Sequence, residues 1–199
     1  MRMTQTLAIC SILTLAATAA VITTARGQQA PPAAAPAVPG LTLTSTGFED
    51  GGIIPNKFTQ AAPNFVSPEL KWTNVPAGVV SFVLIFHDAE GALNKTTEDV
   101  LHWMAFNIPG TVRELPEAVP ADAKLPDGTI QAKNRRGNVG FLGPGMGPAG
   151  PYHHYTFELF ALDNKLDLGP DATRADVLKA IDGHILAKAV LVGRFHRMS

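Results

Sequence analysis

Residues Ser81–His87 read SFVLIFH, and how that run is taken decides the class of fold. It is almost unbrokenly apolar, too short for an ordinary helix, and rich in Phe, Val and Ile. It therefore predicts a central strand, apolar on both faces. Around it, Leu41–Ser45 alternates and Leu70–Thr73 follows a Ser67-Pro68 turn, while His102–Ile108 and Tyr152–Leu162 are bounded by Pro or Gly. All four predict strands. One helix is expected, capped by Thr173 with Asp176 three positions on, striped by Val177, Leu178 and Ile181, and stopped by Gly183. Many strands with one or two helices near the C-terminus predict a mainly β sandwich.

Composition agrees and narrows the classes. The 199 residues suit one domain or two small ones, and 46% hydrophobic against 17% charged excludes a disordered chain. A net charge of -1 leaves no basic footprint for nucleic acid. Sixteen prolines and 18 glycines fit a helix bundle poorly. The one cysteine, Cys10, excludes a disulfide framework and a thiolate-rich zinc site.

The N-terminus predicts a secretion signal over residues 1–27. Arg2 is followed by the apolar run Leu7–Ile22, with small residues for cleavage at Thr23-Thr24-Ala25 or Ala25-Arg26-Gly27. Cleavage would remove Cys10, leave no membrane span and give a periplasmic or secreted protein; left uncleaved, the run approaches the roughly 18 residues of a membrane anchor. Residues 28–40 (QQAPPAAAPAVPG) predict an extended Pro/Ala linker, and residues 41–197 one domain. Asn94-Lys95-Thr96 is a glycosylation sequon by pattern alone.

Period-two parity supplies the functional clue. His153 shares a strand face with Tyr155, Phe157, Leu159 and Ala161, and His154, Thr156 and Glu158 face the other way. His102 shares parity with Met104, Phe106 and Ile108, and Asp88 with Phe82, Leu84 and Phe86. If the strand ending at Asp88 runs antiparallel to the two that begin near His102 and His153, all three groups meet at one edge. Such groups on apolar faces are costly unless they pair or bind something. A neighbouring carboxylate would favour protonated imidazoles, which donate to an anion. Between these strands runs a connection from Gly140 to Pro151 (GFLGPGMGPAGP), whose glycines permit close backbone approach to a ligand.

The ordered set Ser67-Pro68-x-Leu70-x-Trp72, Val75-Pro76-x-Gly78, Asp88, His102-Trp103, Asn107-Ile108-Pro109, Gly143-Pro144, His153-His154-Tyr155-x-Phe157 and Ala161-Leu162-Asp163 resembles the phosphatidylethanolamine-binding protein family, in its bacterial branch similar to Raf kinase inhibitor protein. The resemblance spans Leu41 to Phe195. It implies two antiparallel β-sheets with flanking helices and a small pocket for phosphate, phosphoryl head groups or acetate. Asp88 matches the first acid of the family's Asp-Pro-Asp-x-Pro segment, and Glu90 stands where its second acid is usual. His102, Gly143, Pro144, His153 and Tyr155 match the other pocket positions. Asp88-Ala89-Glu90-Gly91-Ala92 lacks both prolines, His154 replaces an Arg, and Gly145-Met146-Gly147 replaces a Cys- and Pro-rich stretch.

The expected function is therefore binding of a small anionic ligand, phosphate or phosphoryl or carboxylate. His102 and His153 would donate, Tyr155 and loop N–H groups would assist, and Trp103, Phe141 and Met146 would form an apolar rim. Inhibition of an extracytoplasmic protease or another protein target is an alternative, and acid–base catalysis in the same pocket another. No Ser or Cys nucleophile in a recognisable setting and no His-x-x-x-His spacing can be read. Neither a catalytic residue nor a metal or other cofactor is expected.

Overall fold

Apolar and aromatic-rich stretches separated by Pro and Gly collapse into two packed sheets. The computed structural model describes residues 39–92, 95, 97–145 and 150–196, all within the compact unit Val38–Ser199. The expected signal, most of the Pro/Ala linker, the sequon's Asn94 and Thr96, and the stretch from Met146 to Ala149 lie outside the described residues.

The strands are β1 (Thr42–Thr44), β2 (Gly52–Ile53), β3 (Leu70–Thr73), β4 (Ser81–Asp88), β5 (Val100–Pro109), β6 (Glu114–Leu115), β7 (Ile130–Gln131), β8 (His153–Leu162) and β9 (Ile185–Phe195), with helix α1 at Arg174–Ile181 between the last two. A small sheet β1-β3-β6 packs on a large sheet β2-β9-β8-β4-β5-β7. Its pairs are antiparallel except the short β2–β9 contact, which is parallel. β4 is the centre, buried along its whole length. One face of it (Phe82, Leu84, Phe86) packs with Trp72, Phe157 and Leu159 between the sheets. The other (Val83, Ile85) packs with Met104, Phe106, Val177 and Ile181 beneath α1.

The helix begins as its sequence predicts. The Thr173 hydroxyl accepts from Asp176 N–H and the Asp176 carboxylate accepts in return from Thr173 N–H, a reciprocal capping box. Leu178 departs from the expected stripe: only Val177 and Ile181 are buried, and Leu178 is exposed. Leu178, although three residues from Ile181, lies on the solvent edge of the helix, and the buried stripe is the i, i+4 pair Val177 and Ile181.

Strand β9 was not legible. Its sequence ILAKAVLVGRF mixes Ala, Lys and Gly, residues depleted in strands. Pairing with all of β8, from His153↔Phe195 to Leu162↔Ile185, overrides that preference.

Two irregularities in β5 matter for the site. Opposite β4 the register slips between Phe86↔Trp103 and His87↔Leu101, so that His102 is an extra residue, and slips again between Phe82 and Leu84, where Asn107 holds a φ of 57°. Bulges of this kind re-aim side chains. Strict alternation would turn His102 towards α1 with Met104 and Phe106. The bulge turns it instead between the sheets, where its ring lies 5.5 Å from Phe86 and 5.3 Å from Tyr155. The expected shared face of His102 with Met104 and Phe106 is therefore wrong, although the side of the sheet inferred for the site is the one His102 reaches. At the second irregularity Asn107 exchanges hydrogen bonds with the backbone of Leu166, and Ile108 joins the inter-sheet core.

Candidate functional site

β4 runs antiparallel to both β5 and β8, so its last residue, Asp88, stands opposite Val100 and Tyr155. The three strands thus deliver Asp88, His102 and His153 to one end of the sandwich. There a cavity of about 180 Å³ opens. Its buried lining is Asp88, Val100, His102, Leu142 and Tyr155, and its more exposed lining is Gln60, Arg135, Arg136 and Gly145. The first set makes the floor and the second the mouth.

Asp88 is the best-anchored group of the floor. Its carboxylate accepts from His153 Nδ1 at 2.7 and 3.0 Å and from Glu90 N–H at 3.0 Å. The carboxylate–backbone bond closes the turn after β4, supplying by hydrogen bonding the rigidity that the missing prolines would have given. Glu90 points away from the cavity. It accepts from the backbone N–H of His154 at 2.6 Å and lies 3.2 Å from His154 Nδ1. That backbone hydrogen bond, before any charge effect, holds the Glu90 carboxyl below its ordinary pKa.

His102 is fixed by a two-point contact with Leu142. Leu142 N–H donates to the His102 carbonyl at 2.9 Å, and His102 Nδ1 donates to the Leu142 carbonyl at 2.8 Å. The carbonyl assigns the proton to Nδ1 and leaves Nε2 with a lone pair. Burial drives the ring's pKa down to about 4, with the Leu142 carbonyl and Asp88 opposing and the Arg135 charge reinforcing. His102 is therefore neutral at pH 7 and presents an acceptor. The expected protonated donor is corrected at this position, because desolvation outweighs the carboxylate.

His153 stands behind Asp88 and is not among the lining residues. From there its Nδ1 contacts both oxygens of the Asp88 carboxylate. Nitrogen and oxygen atoms of Asp88, Glu90 and His153 also lie within 4.8 Å of one another, a grouping that strand spacing alone did not reveal. In this arrangement the His153 Nδ1–H is directed at Asp88 and Glu90 is held by His154, so the three act as hydrogen-bond partners.

Gly143 and Pro144 join the lining residues Leu142 and Gly145 without themselves lining the cavity. Their carbonyls accept from Gln60 Nε2 at 2.7 Å and Gln60 N–H at 2.8 Å. A Cβ on Gly143 would stand 2.7 Å from the Phe58 carbonyl oxygen and 2.9 Å from Thr59 Cα. These are backbone atoms that cannot swing aside. Gly143→Ala is expected to cost about 1–3 kcal/mol in urea denaturation, whereas Gly169→Ala, with nothing within 4 Å, should stay within about 0.5 kcal/mol. Equal midpoints for the two variants would refute the close-approach explanation.

The expected apolar rim is not formed by Trp103. That side chain is fully buried, with Nε1 donating to Gln131 Oε1 at 2.7 Å. Phe141 stacks on Phe86 and meets Trp103 edge-on, so it too belongs to the core. Met146 lies outside the described residues.

The mouth was missed in the sequence. Arg135 and Arg136 occupy the turn Asn134–Gly137, placed where Arg135 N–H donates to the Leu101 carbonyl. Arg136 Nη2 donates to Gln60 Oε1 at 2.6 Å. Among the described residues the Arg135 guanidinium has no hydrogen-bond or ion-pair partner. Two adjacent arginines just before the glycine-rich connection were the available signal.

Comparison with known proteins closes the matter of ancestry. The phosphatidylethanolamine-binding protein family pattern matches residues 44–196. A UPF0098 protein of Methanothermobacter thermautotrophicus is 41% identical over 157 residues, covering 79% of this chain and 99% of its own length. The crystal structure of a phosphatidylethanolamine-binding protein homologue, CT736 of Chlamydia trachomatis, superposes with a TM-score of 0.68 at 30% identity, covering 79% of this chain and 98% of that one. Escherichia coli YbcL superposes with a TM-score of 0.70 at 27% identity, covering 80% and 99%. Because the match runs through both sheets and through the strands that bear Asp88, His102 and His153, the chain belongs to the phosphatidylethanolamine-binding protein family.

Proposed function

We propose that this protein binds a small anionic ligand, phosphate, phosphoryl or carboxylate, in the cavity at the end of β4. The supporting observation is the Arg135 guanidinium, without a hydrogen-bond or ion-pair partner among the described residues, at the mouth of a polar cavity. A cation so placed is ready to form a charge-assisted hydrogen bond without first breaking another. At about 180 Å³ the space suits a head group and not a whole lipid, since pockets for drug-sized molecules begin near ~300 Å³. The apolar run Leu7–Ile22 behind Arg2 supports a secreted or periplasmic setting. Among the described residues no helix is long and apolar enough to cross a membrane.

Calorimetric titration of the purified protein with inorganic phosphate and with acetate tests this reading. Saturable one-site binding is expected, with stabilisation of about 2.7 kcal/mol at a hundredfold excess over Kd. Arg135→Ala should weaken both ligands about tenfold, the loss of one hydrogen bond to a charged group. Absence of heat and of any melting shift with either ligand would overturn it.

A further inference from the structure

On the face of the sheet opposite the cavity, a second group of charges joins α1 to the strands. His87 of β4 is buried there with a carboxylate at each ring nitrogen. Asp99 Oδ2 lies 2.6 Å from its Nδ1 and Glu158 Oε2 lies 3.4 Å from its Nε2. Asp99, one residue before β5, also accepts from Nη1 of Arg174, the first residue of α1. These side chains tie β4, β8, the approach to β5 and the helix to one another. Lys188 of β9 is the other charge that acts on Glu158.

A doubly protonated imidazole satisfies this geometry and a neutral one does not. Only the cation donates from both nitrogens. With one proton, held at Nδ1 by the closer Asp99, Nε2 would turn a lone pair on the Glu158 carboxylate. The cluster has no spare partner to absorb that change: His87 Nε2 and Arg174 Nε are buried without a hydrogen-bond partner among the described residues. The helix is poorly equipped to stay in place without the contact. It is eight residues long, too short to persist alone, and its buried anchorage is Val177 and Ile181. We propose that His87, Asp99, Glu158 and Arg174 form a pH-sensitive latch, which holds the first turn of α1 on the sheet while His87 is protonated and releases it when the ring becomes neutral. Burial disfavours the charged ring and Arg174 repels it, but Glu158 and Asp99 prevail and raise its pKa above 6.5. The latch is therefore closed below 6.5 and opens as pH rises through the folded value.

Amide hydrogen exchange on the intact protein, followed by mass spectrometry from pH 6 to 9, tests the latch. Protection factors of α1 relative to those of β8 are expected to fall about tenfold over that range, the scale of one hydrogen bond to a charged group. The midpoint should coincide with the titration of His87 itself, read from its ring protons by NMR. Glu158→Gln, at a part-exposed position, should keep α1 protected at pH 9, because the new amide can donate to the neutral Nε2. His87→Gln, checked for folding by its melting curve, should make the ratio independent of pH. A ratio that does not change with pH in the parent protein would overturn the proposal. So would a midpoint that follows a different histidine, or a fall of the same size in Glu158→Gln.

Discussion

Acidification from pH 6.5 to 4 is expected to remove about 3 kcal/mol of stability through His102 alone. The folded ring titrates near 4, well below the ordinary 6.5, chiefly because it is buried. In that window the unfolded chain takes up a proton that the folded chain refuses, so stability falls as pH falls. Above the ordinary value both states are neutral and the contribution is complete. His87, on the α1 side of the sheet, works in the opposite direction. Burial would lower its pKa, but Glu158 and Asp99 outweigh that and raise it. Its Nδ1 lies 2.6 Å from Asp99 Oδ2 and its Nε2 3.4 Å from Glu158 Oε2, while Arg174 also pairs with Asp99. A raised histidine stabilises fully below 6.5 and loses that contribution as pH rises through its folded value, so it does not mask the acid limb. Glu158, held below its ordinary 4.5 chiefly by the His87 hydrogen bond, loses its share lower still. Urea midpoints measured from pH 7 to 4.5 therefore isolate His102. His102→Gln should flatten the slope there; an unchanged slope in that variant would refute the assignment.

Phe86→Ala is expected to cost about 3–5 kcal/mol, the largest effect of a single side chain. Phe86 is fully buried and stacks on Phe157 with centroids 3.8 Å apart and on Phe141 at 5.5 Å. It also touches the rings of His102 and Tyr155, at 5.5 and 6.1 Å, and so supports the cavity floor from below. Close-packed aromatics cannot collapse into the space a lost ring leaves, and the cavity penalty adds to the lost burial. For a chain of this size the melting temperature should fall by on the order of 10 °C. Phe86→Leu, which keeps most of the volume, should cost markedly less. If Phe86→Ala melts within about 2 °C of the parent protein, the stack is not the support described here.

How far these side chains could be foreseen depended on how local their causes are. The apolar run 81–87, the alternation of β8 and the Thr173–Asp176 capping box are set by neighbours a few residues away, and each formed as its residues predict. The side of the sheet carrying Asp88 and Tyr155 was likewise legible, because period-two alternation is a property of the strand itself. The departures arose where a distant partner decided. β9 is a strand because β8 pairs with it along its length, in spite of its Ala and Lys. Trp103 leaves the expected rim because Gln131, from a different strand, satisfies its N–H inside the core. Leu178 stays exposed because the sheet meets α1 along Val177 and Ile181.

Residue order and periodicity, which the chain carries locally, were enough for the family, the mainly β sandwich and the ordered appearance of Asp88, His102 and His153. Where those side chains point and what they touch came from the packing of the sheets. The bulge opposite Phe86 turned His102 inward, burial made it a neutral acceptor, and His153 was placed behind Asp88, outside the lining of the cavity. The turn at Asn134–Gly137 brought Arg135 to the mouth. Register and desolvation depend on which strands meet and how much water they exclude, and neither is a property of any short stretch of sequence.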